Sequence, residues 1–375
     1  MTRAVLLGYF GQQNAGDDAF LRISEWGVRR YCGATIVLAS TSRRPPWGGV
    51  LPMLVPDAIR GSWRIQGMVE SLLAWRAQHV VFAGGSNFHS GPMMGRFRDL
   101  VRRAAGGPHF AVGVGVGPFR DVEAEARCRE LLLSLDFVGC RDRQSFERAR
   151  EVAPSARIEL TGDIAPLLPL VAAPGFDAAS SSSRRGLGVI LCPYEQCLGG
   201  DGSHEAARLD VVTHALLDAA RRGSVSEAVL IDMNSHPVMG DAAQHDLLAA
   251  RLQHALPVRR VRYALDPVQI LRELATLQGL ITMRLHGAVF AYCVRTPTLL
   301  LAYHEKCFGW AEAVGLASPL VVSATPIDAE AFRSGLATLT ESSTPLLPRL
   351  PIEAAQAQAM KNWNWLGETA PAASI

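Results

Sequence analysis

The feature that most restricts how this chain can fold is a rhythm. Short apolar runs recur from the first residues, and each is followed by a longer segment with helical spacing. The runs "AVLLGY" (4–9), "TIVLAS" (35–40), "HVVFAG" (79–84), "HFAVGVG" (109–115), "DFVGC" (136–140) and "RIELTG" (157–162) have the length of strands. Segments 17–31, 65–77, 94–105, 122–135 and 143–152 between them carry apolar residues at helical spacing. Parallel strands need crossover connections, so strand and helix in alternation predict a parallel sheet covered on both faces.

The rhythm stops at "APLLPLVAAPGFDAASSSSRR" (165–185), which is rich in Pro, Ala and Ser and reads as a linker. It then resumes. Strand-like runs at 187–194, 227–234, 258–263, 279–284 and 297–303 alternate with helical segments at 204–222, 239–255, 267–277 and from 285 onward. With 375 residues the chain exceeds one ordinary core. The expected organisation is a first α/β domain over 1–165, a linker over 166–185 and a second α/β domain over 186–345. Residues 346–375 hold a last helix, around 352–366 with Trp363 and Trp365, that crosses back onto the first domain, followed by a disordered tail, "GETAPAASI". The fold class is therefore α/β, two Rossmann-like parallel-sheet domains facing across a cleft, with ligands expected at the carboxyl ends of the strands.

A net charge of +2 excludes a strongly nucleic-acid-binding surface. The basic residues are 35 Arg and only two Lys, Lys306 and Lys361, the pattern a GC-rich genome leaves. A lysine that survives such a bias at 306 points to a site that needs a compact point charge rather than a planar fork. Seven scattered cysteines, Cys32, Cys128, Cys140, Cys192, Cys197, Cys293 and Cys307, lie mostly within apolar runs and read as reduced, buried thiols. No metal-ligand spacing is present, the N-terminal apolar stretch is too short for a signal peptide, and no run approaches a membrane span. The expected location is the cytoplasm.

Several loops at predicted strand ends carry chemistry. In "GYFGQQNAGDDAF" (8–20), glycines 8, 11 and 16 allow a sharp turn, Asp17 or Asp18 can cap the next helix, and the amides can face an anion. Asn14 and Asp17 are its substrate-binding candidates, although the pattern is neither G-x-G-x-x-G nor Walker A. In "AGGSNFHSGP" (83–92), Gly84, Gly85 and Ser86 expose backbone and His89 is presented as an acid, base or phosphate ligand, or as an ordinary surface histidine. "GVGVGP" (113–118) ends one strand. "GCRDRQSF" (139–146) ends the next with Arg141, directed into the cleft or salt-bridged to Asp163 in "TGD". "GLITM" is a buried strand that ends on Arg284, with His286 in the first turn of the helix that follows. After the next strand, "LLLAYHEKCFGW" brings Tyr303, His304, Glu305 and Lys306 to the same sheet edge. Arg141, Arg284, His286 and Lys306 together predict a cationic pocket for a small polyanion bearing phosphate, carboxylate or both.

These pieces, "GYFGQQNAGDDAF", "AGGSNF", "GVGVGP", "CRDRQS", "TGD", "RLHG" and "YHEKCFGW", resemble in their order those of the polysaccharide pyruvyl transferases. The resemblance implies a GT-B-like architecture. It also implies transfer of the enolpyruvyl group of phosphoenolpyruvate, as a cyclic ketal, to two hydroxyls of a sugar in a cell-surface polysaccharide or its lipid-linked precursor, with release of phosphate. By this resemblance Arg141 and Arg284 hold the donor's phosphate and carboxylate, Lys306 adds a point charge at the phosphate, His286 is the general acid, and His89 carries over less directly. Arg141, His286 and Lys306 are thus the catalytic candidates. Arg284, Asn14, Asp17, Gly84, Gly85, Ser86, His89 and Tyr303 are the binding ones. No metal and no cofactor beyond the donor are expected.

The chain departs from the family where "AGGS" lacks a frequent third glycine, and in inserts around 40–65 and 175–185 that bear on acceptor recognition. The alternative is a GT-B glycosyltransferase that sets Arg284 and Lys306 on a nucleotide diphosphate and needs a carboxylate for the ribose, with Glu305 the one nearby candidate. A non-catalytic binding protein on this fold would not need His286. The expected partners are phosphoenolpyruvate and a glycan acceptor, and no nucleic acid. Peripheral contact with the inner face of the cytoplasmic membrane, through a lipid-linked acceptor, would involve the pairs Arg102–Arg103 and Arg259–Arg260 unless these are simply solvated.

Overall fold

The computed structural model describes residues 1–41, 43–54, 68, 71–72, 74–85, 88–172, 184–237 and 239–369. The chain forms two compact units, one of Met1–Gln12, Asp17–Ala172 and Glu353–Ile375, the other of Gln13–Gly16 and Ala173–Ile352.

The first unit is built on β1 (Arg3–Leu7), β2 (Ile36–Thr41), β3 (Val50–Leu54), β4 (His79–Ala83), β5 (Phe110–Val114), β6 (Phe137–Cys140) and β7 (Ile158–Leu160). They pair in parallel in the order β3-β2-β1-β4-β5-β6-β7. All five residues of β4 and of β5 are buried, as strands covered on both faces require. Strand β3, "VLPML", was not expected in the 40–65 segment. Pro52 breaks its apolar alternation, and a proline is admissible because β3 is an edge strand that pairs only with β2 among the described residues.

The helix Ile352–Thr369 packs into this first unit. Asn362, fully buried, accepts hydrogen bonds from the Gly113 amide (3.0 Å) and the Thr161 hydroxyl (2.9 Å). Trp365 stacks on Phe137 at 4.9 Å and meets Phe110 edge-on at 5.3 Å. The helix thus ties the ends of β5 and β7 together. The expected linker begins later than its composition suggests. Residues 165–172 form a 3-10 turn, Ala165–Leu167, and a helix, Leu168–Ala172, that buries Leu167 and Leu168, while 173–183 lie outside the described residues. Part of the helix expected at 65–77 and the end of the C-terminal tail, 370–375, also lie outside them.

The second unit repeats the plan with β8 (Leu187–Ile190), β9 (Ala228–Ile231), β10 (Val258–Val261), β11 (Gly279–Thr282), β12 (Thr298–Ala302) and β13 (Val321–Ser323), in the order β10-β9-β8-β11-β12-β13, all parallel. Helices Glu305–Val314 and Ala329–Glu341 extend the helical layers past the last strand read from sequence.

A buried ion pair locks one side of this unit. Arg208, 2% exposed, forks onto Glu195 at 3.2 and 2.8 Å and also donates to the Ala324 carbonyl, while the Thr325 hydroxyl donates to Glu195. Burial alone would raise the Glu195 carboxyl, but Arg208 and Thr325 more than offset this and hold it at about 2, below its ordinary 4.5. A depressed carboxylate contributes stability that is complete above its unfolded value and lost as pH falls through the folded one. Glu195→Gln is therefore expected to lower the thermal midpoint at pH 7, and the gap to wild type should close as pH drops from 4.5 toward 2. A gap that is constant with pH in scanning fluorimetry would locate the acid sensitivity elsewhere.

Candidate functional site

The second unit gathers its polar side chains at the carboxyl edge of the sheet, where β9, β8, β11 and β12 end side by side. Strand β11 stops at Thr282, whose hydroxyl donates to the Arg284 carbonyl at 3.0 Å, and Arg284 occupies the position just before helix Leu285–Cys293. The Arg284 guanidinium does not stand alone. Its Nε and Nη2 both donate to Asp241 Oδ1, at 2.9 and 2.6 Å, and Nη2 also reaches the Met239 carbonyl at 3.2 Å. Its Nη1 makes no hydrogen bond among the described residues. Asp241 is fully buried, and its other oxygen accepts from the amides of Met233 (2.9 Å) and Asn234 (3.0 Å). One carboxylate thus fixes both an arginine at the end of β11 and the loop at the end of β9.

Asp241 was not among the sequence candidates. An aspartate just before a helix reads as an ordinary cap. Here it precedes helix Ala242–Leu252 without making a side-chain cap bond, its carboxylate being turned to Arg284. Burial opposes the guanidinium charge, and the Asp241 carboxylate more than compensates, holding Arg284 above its ordinary value. The arginine is a permanent cation in a partly dehydrated corner, one-fifth exposed.

His286 sits in the first turn of the same helix, half-buried, its ring 6.4 Å from that of Phe290. The segment Gln13–Gly16 lies against it. Ala15 N donates to the Met233 carbonyl and Ser235 N to the Gln13 carbonyl, both at 2.9 Å, and Asn14 bridges to Asn234. A Cβ on Gly16 would overlap the His286 imidazole at Nδ1, so only glycine lets the backbone approach this closely. The chain accepts a left-handed Gln13 (φ 61°) to make the turn.

Asn14, Arg284 and His286 are thus brought together. The helix after β1 starts at Ala15, two residues earlier than expected. Asp17 and Asp18 therefore lie inside its first turn and are not caps. Asn14 accepts from the Gly16 amide at 3.1 Å, while Asp18 turns back to the Gly11 amide at 2.7 Å.

Tyr303 and Lys306 follow β12, the neighbour of β11. Lys306 Nζ lies over the Tyr303 ring, 5.7 Å from its centre, and that ring packs 4.4 Å from Tyr194. Burial pushes the Tyr303 phenol above its ordinary value, so it acts as a neutral wall. His304 precedes helix Glu305–Val314 and accepts from the Lys306 amide at 3.3 Å. Cys192, at the end of β8, is pushed up to about 12 by burial and is a poor nucleophile at neutral pH. The Cys197 side chain is exposed, against the expectation of buried thiols. Alkylation at pH 8 is expected to label Cys197 while sparing Cys192 in the folded protein, as peptide mapping would show. Equal labelling would contradict the packing around Arg284.

In the first unit, the ends of β4, β5 and β6 form a second set of loops. Gly84 and Gly85 adopt positive φ, and a Cβ on Gly84 would overlap the Phe20 ring. Gly85 O accepts from the Gly115 amide at 2.8 Å, and the Arg141 amide donates to Val114 O at 3.0 Å. The Arg141 guanidinium lies on the Gly115 backbone, where a Cβ would stand 3.1 Å from Cζ, and its Nε donates to Asp142 at 3.0 Å. Asp142 pairs with this Nε, its other oxygen caps helix Arg143–Val152 through the Ser145 amide, and Asp163 accepts from the Ala165 amide. His89 is exposed, Asp17 half-buried, and Ser86 lies outside the described residues.

Among the described residues no group of three or more His, Cys, Asp or Glu could hold a metal ion, and no helix is long and apolar enough to cross a membrane. No curated protein sequence matches the chain. Among solved structures, it is similar to the UDP-GlcNAc 2-epimerase of Methanocaldococcus jannaschii (TM-score 0.63, 10% identity, 97% of this chain and 100% of that one). It is also similar to the UDP-GlcNAc 2-epimerase of Neisseria meningitidis (TM-score 0.61, 12% identity, 98% and 100%). A third similar structure is an α,α-trehalose 6-phosphate synthase of Burkholderia multivorans (TM-score 0.53, 14% identity, 98% and 93%). At these identities the likeness shows the fold, two parallel-sheet α/β domains of the GT-B-like class. The family model of polysaccharide pyruvyl transferases matches residues 14–305, from the turn that carries Asn14 to the start of the helix after Tyr303, and the chain belongs to that family.

Proposed function

We propose that the protein transfers the enolpyruvyl group of phosphoenolpyruvate onto two hydroxyls of a sugar, forming a cyclic ketal and releasing inorganic phosphate. The acceptor is a cell-surface polysaccharide or its lipid-linked precursor. The observation that carries this reading is the pairing, at one strand end, of an arginine clamped by buried Asp241 with a half-buried histidine two residues on. In a chain of this family, that pairing supplies an anion clamp and a proton donor side by side.

The chemistry needs both. His286 gives a proton to the methylene carbon of the donor, which leaves positive charge on C2. A sugar hydroxyl attacks C2 and loses its proton, the bond from C2 to the phosphate oxygen breaks, and the second hydroxyl closes the ring at C2 with loss of its own proton. Arg284 and Lys306 are assigned to the donor's anionic groups, where fixed cations stabilise the departing phosphate. Arg141, on its own sheet edge, is assigned a further anionic contact. Asn14, Asp17, Gly84, Gly85, Ser86, His89 and Tyr303 are assigned to binding. The proposal invokes no metal and no cofactor.

His286→Ala is expected to reduce turnover by about 10²–10⁴-fold, the usual contribution of a positioned acid, with little change in donor affinity. Donor class can be read from thermal shift with phosphoenolpyruvate against uridine diphosphate, since a ligand that binds only the folded state raises the midpoint. A rise with phosphoenolpyruvate that is lost in Arg284→Ala is expected. A rise with uridine diphosphate alone would favour a nucleotide-sugar donor, as the names of the structurally similar proteins suggest for those proteins.

A further inference from the structure

Close to Ser71 the first unit turns three large apolar side chains outward. Met68, Leu72 and Trp75 are 59%, 59% and 61% exposed, whereas Ala74 and Ala77 are fully buried. Residues 68, 72 and 75 recur at helical spacing, which sets the three large side chains on one stripe and the alanines on the other, the reverse of a surface helix that serves only its own core.

Cations border the stripe. The Arg76 guanidinium lies over the Trp75 ring at 4.6 Å. Arg103 donates to the Ser71 hydroxyl at 3.2 Å, which brings the exposed end of helix Gly91–Arg103, with Arg102, alongside. Arg76, Arg102 and Arg103 form no ion pair among the described residues. Other arginines do. Arg98 on the same helix is taken by Asp99 and Glu130. Arg259 is taken by Glu227 and Glu273, and Arg260 by Asp232 and Asp246, so the second arginine pair suggested for a lipid surface is already neutralised.

We propose that the stripe Met68, Leu72 and Trp75, with Arg76, Arg102 and Arg103, is a docking surface for an anionic lipid bilayer. Apolar side chains on one stripe, an aromatic ring with a cation over it and flanking guanidinium groups without carboxylate partners among the described residues make up the composition of an interfacial segment. Contact with a second copy through the same face would set these guanidinium groups against copies of themselves, whereas anionic headgroups complement them. The inference stands apart from the donor chemistry, since its test contains neither donor nor acceptor.

The test is co-sedimentation of the full chain with vesicles of phosphatidylglycerol and phosphatidylcholine, against phosphatidylcholine alone, at low and high salt. Binding to the anionic vesicles at low salt is expected. Leu72→Ser/Trp75→Ser and Arg102→Glu/Arg103→Glu should each weaken it by about tenfold or more, with each arginine near the surface contributing about 1 kcal/mol. Both double variants should keep the wild-type melting temperature, since the altered side chains are exposed. Absence of binding, or variants that sediment like wild type, would overturn the proposal. So would a concentration-dependent dimer that Leu72→Ser/Trp75→Ser dissolves, which would assign the stripe to a second copy of the chain.

Discussion

Gly16→Ala is expected to lose turnover by about 10²-fold or more, approaching the loss from removing His286 itself. The new methyl would occupy the space of the imidazole at Nδ1. Neither side can yield readily. Gly16 is anchored by the Ala15 amide on the Met233 carbonyl and by its own amide on Asn14. His286 is anchored by a helix packed so tightly on β11 that a Cβ on the next residue, Gly287, would stand 2.5 Å from the Thr282 hydroxyl. The imidazole must therefore swing out of place. Overpacking of this kind costs about 1–3 kcal/mol of stability, so the variant should still fold. Turnover falls while the melting temperature drops modestly, and a circular dichroism melt beside an activity assay reads both. Full activity in a folded Gly16→Ala protein would show that the position of His286 does not matter.

Asp241→Asn is expected to damage stability and turnover together. The amide keeps the shape but removes the charge that holds Arg284, and only one of its two ends can accept hydrogen bonds where Arg284, Met233 and Asn234 now donate to both. Removing one partner of a buried pair typically costs about 3–5 kcal/mol, because the other charge stays behind. The mispositioned guanidinium should also raise the donor KM. Asp241 acts through Arg284, and the double variant Asp241→Asn/Arg284→Met separates the two effects. With no charge left unpaired it should recover part of the melting temperature, while donor binding stays lost. Recovery of donor binding in the double variant would show that the clamp is structural only.

Those two residues mark where sequence reasoning stopped. The two parallel-sheet α/β domains were legible because strand and helix periods alternate through nearly the whole chain, and the strand ends placed Arg284 and His286 directly. Strand β3 was not, since Pro52 breaks the alternation of a strand that only an edge position tolerates. Asp241 was hidden by its resemblance to a helix cap, and only the absence of a cap bond in the structure reveals its other task. The approach of Gly16 to His286 joins residues 270 positions apart (286 − 16), and no local pattern encodes it. The double task of Asp142, a helix cap and an ion-pair partner of Arg141 at once, is likewise set by geometry that its place in the sequence does not show.

The central claim is that phosphoenolpyruvate is the donor and that His286 delivers the proton. The most direct measurement incubates the purified protein with phosphoenolpyruvate and a panel of glycan acceptors, following phosphate release and acceptor mass together. The account predicts phosphate released in step with an acceptor that gains a ketal-linked pyruvate, and neither change in His286→Ala. Acceptors modified only from nucleotide sugars, or a ketal product formed equally well by His286→Ala, would contradict it.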